Sequence, residues 1–157
     1  MLALVEEAGL SDRIEVDSAG TNAFRVGGAP DSRSAEVAQQ RGIELSSRCR
    51  QFEVEDFSHF DYVIAMDRRN AVDLHAQAPD AQAAAKIALM RSFDPGLNAS
   101  ADGDGDGDGD EVPDPYIGAR GFDRVFDICD AGCRGLLDYL CEEHELAGSG
   151  GSSSGCS

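Results

Sequence analysis

Residues 61–79 read DYVIAMDRRNAVDLHAQAP, an apolar run followed at once by a helical segment that stops before Pro79. A nearly continuous apolar run of this length is typical of a strand that is buried on both faces of a parallel sheet. Proline and the residue before it both disfavour a continuing helix. Because a strand that leads directly into a helix is the repeating unit of α/β proteins, this stretch predicts an α/β fold with a parallel sheet.

The segments on either side continue the alternation of helices and strands. On the N-terminal side, the periodicity predicts a helix over residues 1–9, a strand over Ile14–Asp17, a helix capped by Asp31 or Ser32 and ended by Gly42, and a short helix around Val54–Phe57. On the C-terminal side, it predicts a buried strand in AKIALMRSF (85–93), a loop over 96–113 and a helix over Phe122–Leu140.

The length and composition limit the classes of protein that need to be considered. The 157 residues predict one domain over residues 1–146, with an acidic Gly/Asp insertion at about 97–112 and a disordered Gly/Ser tail over 147–157. The net charge of −17 argues against binding to nucleic acid or to anionic membranes. The five cysteines have no regular spacing, which favours reduced thiols and a cytoplasmic location.

The segment EVPDPY, residues 111–116, holds one carboxylate between two prolines. Each proline fixes its own φ, and Pro115 also keeps Asp114 out of the helical region. Asp114 is therefore predicted to lie on a stiff, extended piece of chain at the exit of the acidic loop. Taken alone, an aspartate in such a segment is more often part of a turn than a catalyst, and these residues leave open what Asp114 protonates or binds.

Three stretches taken together resemble the low-molecular-weight protein tyrosine phosphatase family: DSAGTNAFRVGGAPDSR (17–33), CRQFEVEDFSHFDYVIAMDRRN (49–70) and VPDPYIGARGFDRVFDIC (112–129). The resemblance implies a small four-stranded parallel sheet flanked by helices. It also implies phosphotyrosine hydrolysis without a metal or cofactor. In that reaction a cysteine of a C-x5-R phosphate loop attacks the phosphate, and an aspartate of a DPY segment protonates the leaving oxygen.

The resemblance assigns roles to five residues of this chain. It makes Asp114 the general acid, and it makes Phe24 and Tyr116 the walls of a cleft for the substrate ring. Ser18 corresponds to a serine that orients the phosphate loop, and Asp67 to an aspartate near the cleft. The implied substrate is a phosphotyrosine-containing protein or a small aryl phosphate, and the protein is expected to act as a monomer.

The clearest departure from the family pattern is the phosphate loop. None of the five cysteines is followed by an arginine six positions later, and Met1 aligns inside the family's first helix. We therefore expect the first strand and the phosphate loop to be absent from this chain, through a truncated gene model or a fragment, and the chain to be poorly stable on its own. Two smaller departures are Ile117, in place of a second tyrosine, and Ser47, in place of a histidine.

Several alternative interpretations remain open at this stage. Cys129, Cys133, Cys141 and His144 could bind zinc, although the two cysteines at 129 and 133 also continue an apolar helical stripe. The run DGDGDGDGDE fails the EF-hand spacing and favours a solvated insertion. A non-catalytic phosphatase-like binding protein and an arsenate reductase on the same scaffold are the alternative functions.

Overall fold

The computed structural model describes residues 1–22, 26–99, 109–116 and 121–146. The elements in chain order are helix α1 (Leu2–Glu7), helix α2 (Ser32–Gln40), helix α3 (Asp56–His59), strand β1 (Val63–Ala65), helix α4 (Arg68–Gln77), helix α5 (Ala81–Ala84), strand β2 (Ile87–Leu89), a 3-10 helix (Met90–Phe93), helix α6 (Pro95–Ala99) and helix α7 (Gly121–Glu143). The predicted helices at the N-terminus, before Gly42, before Pro79 and over Phe122–Leu140 are confirmed.

The two apolar runs on which the fold prediction rested form a parallel pair of strands. Val63 pairs with Ile87 and Ala65 with Leu89, so β1 and β2 run in the same direction, with α4 and α5 connecting them. The α/β class with a parallel sheet is thereby confirmed. In the part of the chain that the structure describes, this ladder has two strands, and the four-stranded sheet stays a prediction.

The strand predicted over 85–93 is shorter than expected. Its second half turns into the 3-10 helix, which is closed by the bond from the Ser92 hydroxyl to the Leu89 carbonyl (2.6 Å) and by the bond from the Asp94 amide to the Arg91 carbonyl (3.0 Å). The loop predicted after it also begins with a turn of helix, α6. Close packing of α7 against the 3-10 helix favours this bend, which a local apolar pattern does not encode.

The strand predicted over Ile14–Asp17 is not formed. Ile14 and Val16 are half-buried while Glu15 and Asp17 are exposed, so successive side chains do alternate between the interior and the solvent, as the sequence pattern suggested. However, this segment forms no ladder, and the nearest pairing is a single parallel bridge between Gly20 and Gln51. A strand requires a partner for its backbone groups, and that partner is supplied by the tertiary fold and not by the alternating sequence.

Two groups of buried side chains hold these elements together. One lies between the sheet and its helices and comprises Phe57, Val63, Ala65, Leu74 and Ala83. The other lies along one face of α7 and comprises Ile128, Cys133, Leu136 and Leu140. This long helix packs against the 3-10 helix, and also against α1, α2 and α6. The apolar stripe that predicted α7 is therefore the stripe that it buries.

Aspartates cap three of the helices, and they fix where those helices begin. Asp31 accepts a hydrogen bond from the Arg33 amide at the start of α2, Asp67 from the Asn70 amide at the start of α4, and Asp80 from the Ala83 amide at the start of α5. Gly42, just after α2, has a φ of 76°, a conformation that favours glycine. The start and stop signals of α2 were thus correctly identified in the sequence.

Candidate functional site

The loop of residues 109–116 carries Asp114 and is attached to the carboxyl end of the sheet. The Val112 amide donates to the carbonyl of Met66, which directly follows β1, at 2.8 Å. The buried Arg91, which follows β2, donates from Nη1 to the Glu111 carbonyl at 3.3 Å. The crevice beyond the carboxyl ends of parallel strands is the usual place for a ligand site in an α/β fold. The loop therefore lies where such a site is expected.

Arg68 at the start of α4 fixes the first half of this loop. Its guanidinium binds Asp110 through two nitrogens, with the shortest contact at 2.8 Å from Nη2 to Oδ2, and its amide donates to Glu111 Oε1 at 2.7 Å. The hydrogen bonds from Arg68 lower the pKa of Asp110. The negative charges of Asp110 and Glu111 are thus used to attach the loop to the first turn of α4.

The carboxyl group of Asp114 is exposed, and one of its oxygens is fixed by the following turn. Asp114 Oδ1 accepts a hydrogen bond from the Tyr116 amide at 2.9 Å, an arrangement that is common where an aspartate begins a turn. Because the residue is exposed, solvent or a ligand can reach its carboxyl group. With Pro113 and Pro115 on either side, the carboxyl group has a defined direction and an open face.

Tyr116 connects this loop to the first turn of α2, 85 residues away in the sequence. Its hydroxyl donates to Asp31 Oδ2 at 2.6 Å. The Arg33 guanidinium carbon lies 4.7 Å from the centre of the Tyr116 ring and 4.5 Å from that of the Phe122 ring. The hydrogen bonds from Tyr116 and then from Arg33 hold the pKa of Asp31 well below its usual range. We refer to Asp31, Arg33, Tyr116 and Phe122 as the α2 anchor.

Ser18 lines an open groove with a volume of about 390 Å³. The groove is lined by Ser18, Ala19, Gly20, Asn22, Val26, Cys49 and Arg50. Arg50 supports this region by binding Asp17 through Nε at 2.7 Å and Asp56 through Nη1 at 2.8 Å. Burial acts to raise the pKa of Asp17, but the hydrogen bonds from Arg50 and from the Ser18 amide outweigh it, so the pKa is lowered. Arg50 is therefore a structural cation in this region.

The side chain of Asp67 caps α4 and connects β1 to the groove region. Asp67 Oδ1 accepts a hydrogen bond from the Asn70 amide at 2.6 Å, and the Asn70 side chain donates in turn to the Thr21 hydroxyl at 3.4 Å. Thr21 is near the groove residues Gly20 and Asn22 in the chain. The position of Asp67 near a cleft stays a prediction, and its structural role as a helix cap is an observation.

The predicted site residues fall into three places. Asp114 and Tyr116 share one loop, Ser18 lines the groove, and Asp67 begins α4. Phe24, which was predicted to face Tyr116, lies outside the described residues, and so does Ile117. The members of the α2 anchor other than Tyr116, together with Arg68, were not recognised as site residues from the sequence. Asp31 carried a signal, since it was identified as a helix cap, but its contact with Tyr116 depends on the tertiary fold.

Cys129 of α7 has the properties of a largely buried, unreactive thiol. Burial, and then the neighbouring Cys133, raise the pKa of Cys129 to about 11, so this group is a thiol at neutral pH. His144 is hydrogen bonded through Nε2 to the Tyr62 hydroxyl at 2.9 Å. Among the residues that the structure describes, no group of three or more His, Cys, Asp or Glu is arranged to hold a metal ion.

Within the same described ranges, no helix is both long enough and apolar enough to cross a membrane.

Comparison with known proteins gives a consistent result. A family described as low molecular weight phosphotyrosine protein phosphatase matches residues 1–146. A Streptomyces coelicolor low molecular weight protein-tyrosine-phosphatase is 40% identical over 144 residues, which cover 91% of this chain and 83% of the relative. The human low molecular weight phosphotyrosine protein phosphatase is 33% identical over 137 residues, covering 86% of this chain and 80% of the relative. A crystal structure of an Entamoeba histolytica protein tyrosine phosphatase, with Hepes in the active site, superposes with a TM-score of 0.76 at 34% identity, covering 92% of this chain and 85% of that one.

Proposed function

We propose that the site of this chain serves the hydrolysis of phosphotyrosine monoesters and that Asp114 is the general acid. The reason is that the chain belongs to the low molecular weight phosphotyrosine protein phosphatase family. The substrate class is a phosphotyrosine-containing protein or a small aryl phosphate. The reaction proceeds through a phosphocysteine intermediate and needs no metal.

One observation carries this proposal: the exposed carboxyl group of Asp114 is held by the Tyr116 amide on a loop that is bonded to the end of β1. The loop is attached at both ends, by Met66 and Arg68 on one side and by the α2 anchor on the other. A carboxyl group with a fixed direction and an open face is what a proton donor to a substrate oxygen requires.

The chemistry needs an acid because a phenolate leaves poorly. Phenols have a pKa of about 10, so expulsion of an unprotonated phenolate at neutral pH is unfavourable. In the first step a thiolate forms the S–P bond, the P–O bond breaks, and the proton of Asp114 passes to the departing phenolic oxygen. In the second step the Asp114 carboxylate takes a proton from water as that water attacks phosphorus and releases the thiolate. A positioned acid contributes roughly 10²–10⁴-fold to such a reaction.

The 157 residues themselves contain no C-x5-R sequence, and Cys129 is a thiol at neutral pH. We therefore assign the general acid to this chain and assign the nucleophile to none of its residues. The same observation favours a second candidate function, a non-catalytic phosphatase-like protein that binds its partner without turnover. Arsenate reduction on this scaffold is less favoured, since three of the cysteines lie in α7 and Cys133 is buried.

The test compares two leaving groups in a version of the chain preceded by a short apolar strand and a C-x5-R loop of the family pattern. In Asp114→Asn, kcat for phenyl phosphate is expected to fall by about 10²–10³-fold, and kcat for p-nitrophenyl phosphate by much less, because the more acidic nitrophenol needs less protonation to leave. The matched control is Asp12→Asn, at another exposed aspartate. Equal losses for the two substrates, or no loss, would contradict the assignment of Asp114.

Activity and binding measurements on the 157-residue chain distinguish the two candidate functions. The phosphatase proposal expects neither turnover of phenyl phosphate nor tight binding, because a phosphate dianion needs a cradle of N–H donors and an arginine. Micromolar binding of a phosphotyrosine peptide by this chain, measured by calorimetry, would favour the binding protein instead.

A further inference from the structure

The second half of the 109–116 loop is held by a contact between distant parts of the chain. The Tyr116 hydroxyl donates to Asp31 Oδ2 at 2.6 Å, a short hydrogen bond to a charged acceptor. Asp31 lies at the N-cap of α2, and α2 packs against α7. The hydroxyl of Tyr116 is thus bound to a helix that is packed into the fold, although the residue as a whole is 53% exposed.

Arg33 holds both partners of this hydrogen bond. Its Nε donates to Asp31 Oδ1 at 3.2 Å and its Nη2 to Oδ2 at 3.4 Å, while its guanidinium carbon lies over both the Tyr116 ring and the Phe122 ring. The two rings are themselves packed edge to face, with centroids 5.5 Å apart. The carboxylate, the guanidinium and the two rings therefore form one connected cluster in which each group limits the movement of the others.

The same tyrosine controls the direction of the Asp114 carboxyl group, because its amide donates to Asp114 Oδ1 at 2.9 Å. We propose that Asp31 is a positioning residue for Asp114 and that it acts through Tyr116. This inference rests on the proposed function, in which Asp114 is the general acid. It adds a role for a residue of α2 that does not itself touch Asp114.

The loop geometry shows why one more attachment is needed. The Val112 amide and the Arg68 contacts fix the loop up to residue 112, and from there Pro113 and Pro115 offer no amide hydrogens to bind. Asp114 has the one amide hydrogen between Val112 and Tyr116, but among the described residues the next amide after Val112 that is seen to donate a hydrogen bond is that of Tyr116. The place of Tyr116 is set by its side chain, which is bound to Asp31. A displacement of about 1 Å at a reacting group can cost about 10²-fold in rate.

A purely structural role for Asp31, as the cap of α2, is the alternative that the experiment must exclude. Serine is as good a cap as aspartate, but its side chain is too short to reach Tyr116 while capping. Asp31→Ser therefore keeps the cap and removes the contact, and Tyr116→Phe removes the hydroxyl while leaving the ring and the cap in place. The matched control is Asp80→Ser, because Asp80 caps α5 in the same way, through the Ala83 amide at 2.8 Å.

The measurement is amide hydrogen exchange by NMR on the 157-residue chain. We expect Asp31→Ser and Tyr116→Phe each to speed exchange at the Tyr116 amide by about tenfold or more, the scale for one hydrogen bond to a charged group. The Val112 amide, bonded to Met66, should change by less than about twofold, and the double variant should add little to either single change. Asp80→Ser should alter neither amide.

The outcomes separate this inference from the proposed function. Unchanged exchange at the Tyr116 amide in Tyr116→Phe would overturn the inference whatever the activity, and so would equal acceleration at Val112 and Tyr116, since that would report general loosening. If exchange changes as expected while Asp114→Asn shows no leaving-group dependence, the attachment of the loop is supported and the catalytic assignment of Asp114 fails.

Discussion

Replacement of Gly135 by alanine tests the packing of α7 against the 3-10 helix. A Cβ atom at Gly135 would lie 1.8 Å from the Phe93 carbonyl oxygen and 2.9 Å from the Phe93 carbonyl carbon, whereas ordinary contact begins at 3.4 Å. The two helices would have to separate by about 1.6 Å, the difference between 3.4 and 1.8 Å. Because the obstructing atom belongs to the backbone, no side-chain rotation can relieve the clash.

The expected loss follows from two opposing terms. Overpacking of a core costs about 1–3 kcal/mol, and a clash with backbone belongs at the upper end of that range. Alanine gains about 1 kcal/mol over glycine inside a helix, so the net loss in the free energy of unfolding is about 2 kcal/mol. For a chain of this size, such a loss lowers Tm by roughly 4–8 °C.

The assay is urea unfolding followed by far-UV circular dichroism, with the free energy taken from the midpoint and slope. Gly132→Ala is the matched control, because it gains the same helix propensity in the same helix. Its Cβ would lie 3.0 Å from the flexible side chain of Met90, which can move aside, and 3.1 Å from the Met90 carbonyl oxygen. We expect this control to lose less than about 1 kcal/mol. A Gly135→Ala variant as stable as the wild type would refute the close approach of the two helices.

Three further predictions concern the loop, a thiol and a half-buried lysine. Gly121→Ala would place a Cβ atom 2.0 Å from the Pro115 carbonyl oxygen, so it should speed exchange at the neighbouring Tyr116 amide while α7 stays helical; unchanged exchange would contradict this contact. Cys129, with its pKa raised to about 11, should react very slowly with iodoacetamide at pH 8, because about one molecule in a thousand is then the thiolate. The alkylation rate, followed by peptide mass spectrometry, should rise about tenfold for each pH unit above pH 8. A rate that levels off below pH 9 would refute the raised pKa. Lys86 Nζ donates to the carbonyls of Phe57 and Phe60 at 2.6 and 2.9 Å, so Lys86→Met should cost about 2 kcal/mol in urea unfolding, and a loss below about 0.5 kcal/mol would show that water replaces it.

The parts of the fold that local signals specify were predicted from the sequence. These parts are the cap and stop signal of α2, the stop of α4 before Pro79, the apolar stripe of α7 and the apolar runs of β1 and β2, and all of them depend on residues that are close in the chain. The strand predicted over Ile14–Asp17 failed because a ladder needs a partner elsewhere in the fold. The end of β2 was misjudged because the 3-10 helix, which ends at Phe93, is packed against α7, which begins only at Gly121.

The candidate site shows the same division between local and distant information. The stiff mount of Asp114 could be predicted from its two prolines, and the structure shows the carboxyl group fixed by the adjacent turn. The attachment of Tyr116 to Asp31, and of Asp110 to Arg68, joins segments that are far apart in the chain. In a chain with 30 acidic residues, no local pattern indicates which carboxylate meets which arginine.

The arrangement of α7 has a consequence for the order in which this protein can fold during synthesis. Helices α1 and α2 pack against α7, which is the last helix described and begins about 80 residues after α2 ends, at Gly121 against Gln40. At a translation rate of roughly 5–20 residues per second, the ribosome needs about 4–16 seconds to make that interval. The apolar faces of the first two helices therefore emerge from the ribosome well before their partner exists. The packing of these two helices onto the fold must therefore wait until α7 has been made.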